Sequence, residues 1–268
     1  MKDDQVSYAV IGEAMRVHRE LGPGLDEVFY HELLSERLRH AGIEHLFKPR
    51  EALIHRGQTA DVFEPDLVLP GRLIPELKVL WGGFEPEHCL QLQSYLKFWK
   101  IPVGLLFDFG KESLVHKRFA FTDSPLPPVD GDTLASPAPA FVTNRELAHQ
   151  ICRSLGRIWA SHGAGYRDTT YRGLLVADLW AENLKCVPRP TAPVRCGNVG
   201  LGEARLRCIA VENECAIRVL ALRDEIRAAD RAVLQSCLRH LGYRWGLVVH
   251  FGRWAIELRW VSAPALRL

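Results

Sequence analysis

The 268-residue chain is short of several features that would place it at a glance. It has no run of about 18 or more apolar residues, so no membrane-spanning helix is expected. It has almost no net charge: +2, with a pI near 8.2. That excludes a broadly basic, polyanion-coating protein, though local basic groups can still line a cleft. It has no C-x-x-C pair. The cysteines, at 89, 152, 186, 196, 208, 215 and 237, are odd in number and mostly in the second half. This argues against a disulfide framework or a zinc site and fits a reducing cytoplasm. The opening MKDDQVSYAVIGEAMRVHREL has acids where a signal peptide needs basic residues, so it reads as an amphipathic first helix. What the chain does have is an ordinary apolar share, 47%, and room for one large or two modest domains.

The stretch PDLVLPGRLIPELK, starting at Pro65, places Asp66, Glu76 and Lys78 on two short apolar runs joined at Pro70-Gly71. Side chains alternate along a strand, so Glu76 and Lys78 share a face and Leu77 points the other way. The Pro-Gly turn folds the Asp66 strand against the Glu76 strand, bringing the two carboxylates within reach of one ion. Hard cations such as Mg²⁺ prefer such oxygens, and an ion there can polarise a phosphoryl group and acidify a water. Lys78 can orient that water or offset charge in the transition state. The plain alternative is a solvated strand face with a weak ion pair, but the apolar neighbours suggest central strands, where these charges need partners.

The flanks add more. Upstream, Gly24 to Tyr30 reads G-x-x-E-x-x-Y, with Glu27 as its acid. Downstream, Gln91 lies in a helix that begins near His88, and Pro102 to Gly110 reads as a strand. In this order the segments, from about residue 5 to 120, resemble the bacterial family named for its GxxExxY motif, a branch of the PD-(D/E)XK nuclease superfamily. The resemblance implies a catalytic set of Asp66, Glu76, Lys78, Gln91 and Glu27. It further implies a metal site of Asp66, Glu76, Glu27 and the Leu77 carbonyl for one or two Mg²⁺ or Mn²⁺ ions. Tyr30 is expected to pack, and His18 and His88 to be structural. Gln93 points elsewhere around its helix. Arg16, Arg19, Lys48, Arg50, Lys97 and Lys100 are candidates to line a nucleic-acid cleft, DNA ahead of RNA.

Residues 123–140, rich in Pro, Ser and Asp, read as a linker. Beyond them the plan recurs. Gly24 to Tyr30 reappears as Gly165 to Tyr171, and Ile101 to Gly110 as Tyr243 to Gly252, an offset of 141 residues that becomes 142. At that offset Asp66 becomes Cys208, Glu76 becomes Arg218, Lys78 becomes Leu220, Gln91 becomes Val233 and Glu27 becomes Asp168. The expected architecture is α/β: two tandem PD-(D/E)XK (restriction-endonuclease-like) domains, each a mixed central sheet flanked by helices. Residues 1–122 carry the intact site and 141–268 a degenerate copy. That copy would complete a pseudo-dimer within one chain, as a monomer or a homodimer, or extend a nucleic-acid groove through Arg189, Arg195, Arg205, Arg207 and Arg218. Expected elements are helices near 4–20, 25–41 and 86–98, and strands near 45–55, 60–69, 72–80, 102–108 and 113–121. The second half adds helices at 144–162 and 224–240 and strands at 245–250 and 254–261. The leading function is metal-dependent phosphodiester hydrolysis of nucleic acid. The alternative is a catalytically silent nucleic-acid-binding or protein-interaction module on the same fold.

Overall fold

A computed structural model describes residues 3–122, 127–136, 138–196, 199–222 and 225–264. The chain divides into two units: residues 1–53 with 62–124, and residues 54–61 with 125–268. Both mix helices with mixed sheets.

The first unit begins with helices α1 (Asp3–Leu21) and α2 (Glu27–His40). Val6, Val10, Ala14 and Val17 recur at helical spacing and bury one stripe of α1. Tyr30, Leu34 and Leu38 do the same on α2, and the two stripes share one apolar cluster. The connection Gly22-Pro23-Gly24 needs positive φ at both glycines, 68° and 97°, which a side chain would oppose. Tyr30 fastens this turn: its hydroxyl donates to the Gly22 carbonyl at 2.6 Å and accepts from Leu25 N–H at 3.2 Å.

Short strands follow: β1 (Leu46–Phe47), β2 (Glu51–His55), β3 (Gln58–Phe63) and β4 (Leu67–Val68). The strands expected over 45–55 and 60–69 are each split. Lys48 turns into the left-handed region at φ 46°, and the Glu64-Pro65 step interrupts the second run. β1 pairs antiparallel with β4, while β2 and β3 form their own hairpin. The three-stranded sheet is β5 (Ile74–Lys78), β6 (Val103–Asp108) and β7 (Val115–Ala120), with helix α3 (Pro86–Trp99) between β5 and β6. β6 is parallel to β5, Ile74 opposite Gly104, and antiparallel to β7, Val103 opposite Ala120. As a central strand β6 is buried throughout, which explains its unbroken apolar run. Leu77, Leu105 and Phe107 join the α1–α2 cluster, whereas Gly104 meets Leu92 of α3 so closely that a Cβ would lie 2.9 Å from it.

In the second unit, a short helix α4 (Gly131–Ala135) lies within the Pro-rich stretch, capped by Asp130 and set against Arg153 with no room for a side chain at Gly131. Helices α5 (Arg145–His162) and α6 (Asp168–Ala181) follow, then β8 (Cys186–Pro188), β9 (Thr191–Cys196), β10 (Val199–Arg205), β11 (Ile209–Val211) and β12 (Cys215–Ala221). Helix α7 (Ala228–Leu241) leads to β13 (Trp245–Phe251) and β14 (Ile256–Ser262). The sheet order is β14-β13-β12-β11-β8, with β12 parallel to β13 and β13 antiparallel to β14. The hairpin tip 54–61 belongs to this unit. There His55 Nε2 meets the fully buried Asp178 at 2.8 Å, His162 meets His55 Nδ1 at 3.0 Å, and Thr170 donates to Asp61 at 2.6 Å.

Candidate metal centre

The turn between β4 and β5 sets the site. Leu69 and Leu73 form an antiparallel bridge, with mutual N–H to carbonyl bonds of 2.8 and 3.1 Å. Carrying that register outward puts Asp66 opposite Glu76. The side chains then cross: Leu77 N–H donates to Asp66 Oδ2 at 2.7 Å, and Asp66 N–H to Glu76 Oε2 at 3.3 Å. Lys78 Nζ lies 2.8 Å from Glu76 Oε1 and 3.8 Å from Glu27 Oε1. Gln91 on α3 donates to the same Glu76 oxygen at 3.0 Å and to the Tyr95 hydroxyl at 2.8 Å. Glu27 opens α2, where the helix dipole favours an acid. The sequence-predicted acids, lysine and glutamine therefore lie in one connected cluster.

Its electrostatics are those of a site holding more negative charge than its surroundings suit. Glu76 is 1% exposed, and burial first, then the Asp66 charge, push its carboxyl up to about 8 against the pull of Lys78. Lys78 loses solvation, but Glu76, Asp66 and Glu27 together hold its ammonium well above the ordinary lysine range. A carboxylate pair that burial penalises and a single lysine incompletely balances is a fitting host for a divalent cation.

His31 is the member that sequence reading missed. It is 3% exposed, and its Nε2 lies 3.3 Å from Asp66 Oδ2 and 3.5 Å from Glu27 Oε1. Neither ring nitrogen has a hydrogen-bond partner, and Glu27, His31 and Asp66 each bring a ligand atom within 4.8 Å of the others. The signal was Glu-x-x-x-His on one helix face, hidden because His31 sits beside the core residues Tyr30 and Leu34. Asp108 was missed too. Buried at the end of β6, it accepts from Leu80 N–H at 3.0 Å and Gly110 N–H at 2.9 Å, pinning the chain just past Lys78. Other histidines are structural: His18 Nε2 contacts the Lys111 carbonyl at 2.8 Å, and His88 Nδ1 accepts from Glu85 N–H at the start of α3. Of the candidate cleft cations, Arg16 pairs with Glu13, Arg50 approaches Glu64 at 3.8 Å, and Lys97 is buried.

Residues 4–119 match the family model of the PD-(D/E)XK nuclease superfamily. The match spans the whole cluster, from Glu27 to Gln91; of the second unit it takes in residues 54–61 and stops before residue 125. It suggests a nuclease-like activity of the kind that generally uses divalent metals. No curated protein and no solved structure matches the chain.

Proposed function

We propose that the first unit is a Mg²⁺- or Mn²⁺-dependent nuclease, working in the cytoplasm on nucleic acid, and that the second unit is a non-catalytic copy of the same fold. The observation that carries the first part is the crossing of Asp66 and Glu76 beside Lys78 and Gln91, inside the matched segment. Asp66, Glu27 and their neighbours would hold a divalent cation, which would supply charge neutralisation for a phosphoryl group and acidify a nearby water. Lys78 orients that water and offsets transition-state charge. Gln91 fixes Glu76 through its amide, while Tyr95 and Asp108 hold α3 and β5 in place. Trp81, just past Lys78 and 94% exposed, offers a flat face on which a base can stack.

Support for the second part is local and repeated. Helices α2 and α6 are the same length at an offset of 141, as are α3 and α7 at 142. Ile74 opposite Gly104 corresponds to Ala216 opposite Gly246, and Val103 opposite Ala120 to Trp245 opposite Ser262. Tyr171 bonds the Gly163 carbonyl as Tyr30 bonds that of Gly22. Gly246 meets Leu234 as Gly104 meets Leu92. The chemistry has nevertheless gone. Arg218 pairs with Asp230 at 3.1 Å, Leu220 is buried, and Cys208 hydrogen-bonds Cys237.

The test is an assay of the full chain on supercoiled plasmid, linear duplex, single-stranded DNA and RNA, with Mg²⁺ or Mn²⁺ and with EDTA. EDTA-sensitive cleavage is expected, as nicks if one site works per molecule, and Asp66→Ala should abolish it with the circular dichroism unchanged. Metal binding without cleavage of any of these substrates would instead favour the silent binding module.

A further inference from the structure

Three features stand outside the reading above: the Cys208–Cys237 thiol pair, the His162–His55–Asp178 chain and the ligand set around His31. The third reaches furthest. We infer that His31 Nε2 is a direct ligand in the first-unit metal site, and that this nitrogen makes the site prefer a first-row transition dication, with Mn²⁺ as the probe, over Mg²⁺. The inference rests on reading that site as a metal centre and sharpens which metal it holds.

Geometry comes first. Neighbouring ligands around an octahedral ion with bonds of about 2.1–2.2 Å stand about 3 Å apart. The separations of Nε2 from Asp66 Oδ2 and Glu27 Oε1, 3.3 and 3.5 Å, are close to that edge. Yet neither contact has hydrogen-bond geometry, because Nε2 and Nδ1 are both without partners. An imidazole that merely braced the two acids would point a proton at one of them. A buried polar group with no partner costs about 1–3 kcal/mol, and a cation on Nε2 would remove part of that cost.

Occupancy comes second. Glu76, the acid that strand patterning puts at the centre of the site, is already engaged. Its Oε1 takes Lys78 and Gln91, and its Oε2 takes the Asp66 N–H. Asp66 Oδ2 takes the Leu77 N–H but keeps a lone pair, and it is the Glu27, His31 and Asp66 atoms that stand together. Glu27 and His31 reach one point because four residues on a helix return to the same face.

Metal choice follows from ligand chemistry. Mg²⁺ is held by oxygen and dehydrates reluctantly, whereas imidazole suits first-row transition ions. Replacing one oxygen position by nitrogen lowers the relative standing of Mg²⁺. The protein needs no new fold for this: His31 is already buried on α2, which the core residues Tyr30 and Leu34 anchor.

The experiment reads the metal's ligands directly. Full-length protein is loaded with Mn²⁺, and its ¹⁴N electron spin-echo modulation is recorded alongside calorimetric titrations with Mn²⁺ and Mg²⁺. Imidazole-type ¹⁴N modulation is expected in the wild type and lost in His31→Gln. Binding of Mn²⁺ at least about tenfold tighter than Mg²⁺ should fall by about tenfold in that variant, with Mg²⁺ binding changed far less. Bound Mn²⁺ in the wild type with no nitrogen modulation would overturn the inference and leave the metal site standing. Absence of Mn²⁺ binding at millimolar concentration would overturn both. The wild-type spectrum decides the question even if His31→Gln fails to fold.

Discussion

Glu76→Gln in the metal-free protein probes how this site is held. The carboxyl goes from an ordinary 4.5 to about 8, through burial and then the Asp66 charge. The unfolded chain gives up that proton near 4.5, and the folded chain only near 8. Between those values the unfolded state has released a proton that the folded state still binds. Stability therefore falls as pH rises, by about 1.4 kcal/mol per pH unit, and levels off above 8. At pH 7 the accumulated loss is about 3 kcal/mol. The glutamine variant has no proton to release, so it lacks this loss. Against that, its amide replaces one of two acceptor oxygens that now face Lys78, Gln91 and the Asp66 N–H, costing about 1–2 kcal/mol. At pH 7.5 in EDTA, where the accumulated loss is close to about 4 kcal/mol, the net expectation is a variant about 2–3 kcal/mol more stable than the wild type, and less stable than it at pH 4.5. Urea unfolding across that pH range measures the difference, and hydrogen exchange at the β5 and β6 amides reports the first unit by itself. A variant about 3 kcal/mol weaker at pH 7.5 and equal at pH 4.5 would refute the reasoning. It would mean that an ionised Glu76 gains more from Lys78 than burial takes away. A site more stable without its central acid than with it is one arranged for chemistry.

Two further predictions concern the second unit. Asp178 is wholly buried; that burial alone would raise its carboxyl, but hydrogen bonds from His55, Arg157 and Ser154 hold it well below the ordinary carboxylate range. Asp178→Asn should cost about 1–3 kcal/mol by taking a charged acceptor from His55 and Arg157, while Arg56 and Arg157 keep Glu182. The wild type's contribution from Asp178 is full above the ordinary 3.8 and is lost as pH falls toward the folded value, so the variant should lack that acid limb. Thermal unfolding against pH measures both, and an unshifted midpoint would contradict the account. Gly173→Ala would gain about 1 kcal/mol from helix propensity alone. Here a Cβ would lie 1.8 Å from the Ala60 carbonyl, so a loss of about 1–3 kcal/mol and faster hydrogen exchange over 54–61 are expected instead. A stabilised variant would show that the hairpin tip does not rest there.

The helices were legible because their signals are local. Pro86 opens α3, and the apolar spacing of α1 and α2 is regular, so their bounds differ from expectation by at most two residues. The facing of Asp66 and Glu76 was legible for the same reason, since a Pro-Gly turn and strand alternation act over a dozen residues. His31 was not, because a histidine among core residues looks like packing until a carboxylate from another strand arrives beside it. Nor was the membership of 54–61 in the second unit, which depends on His55 meeting Asp178 far along the chain. Asp108 was hidden by a strand otherwise continuous in apolar residues. The splits at Lys48 and Glu64-Pro65 lay in backbone detail that apolar patterning does not carry.

The most direct test of the central claim is Mn²⁺-dependent nicking of supercoiled plasmid by wild type and Lys78→Ala, purified side by side. The account predicts a loss of about 10²-fold or more in the variant, from removing one charge aimed at the transition state, with metal still bound and the fold intact. Equal nicking by a clean Lys78→Ala preparation would contradict it.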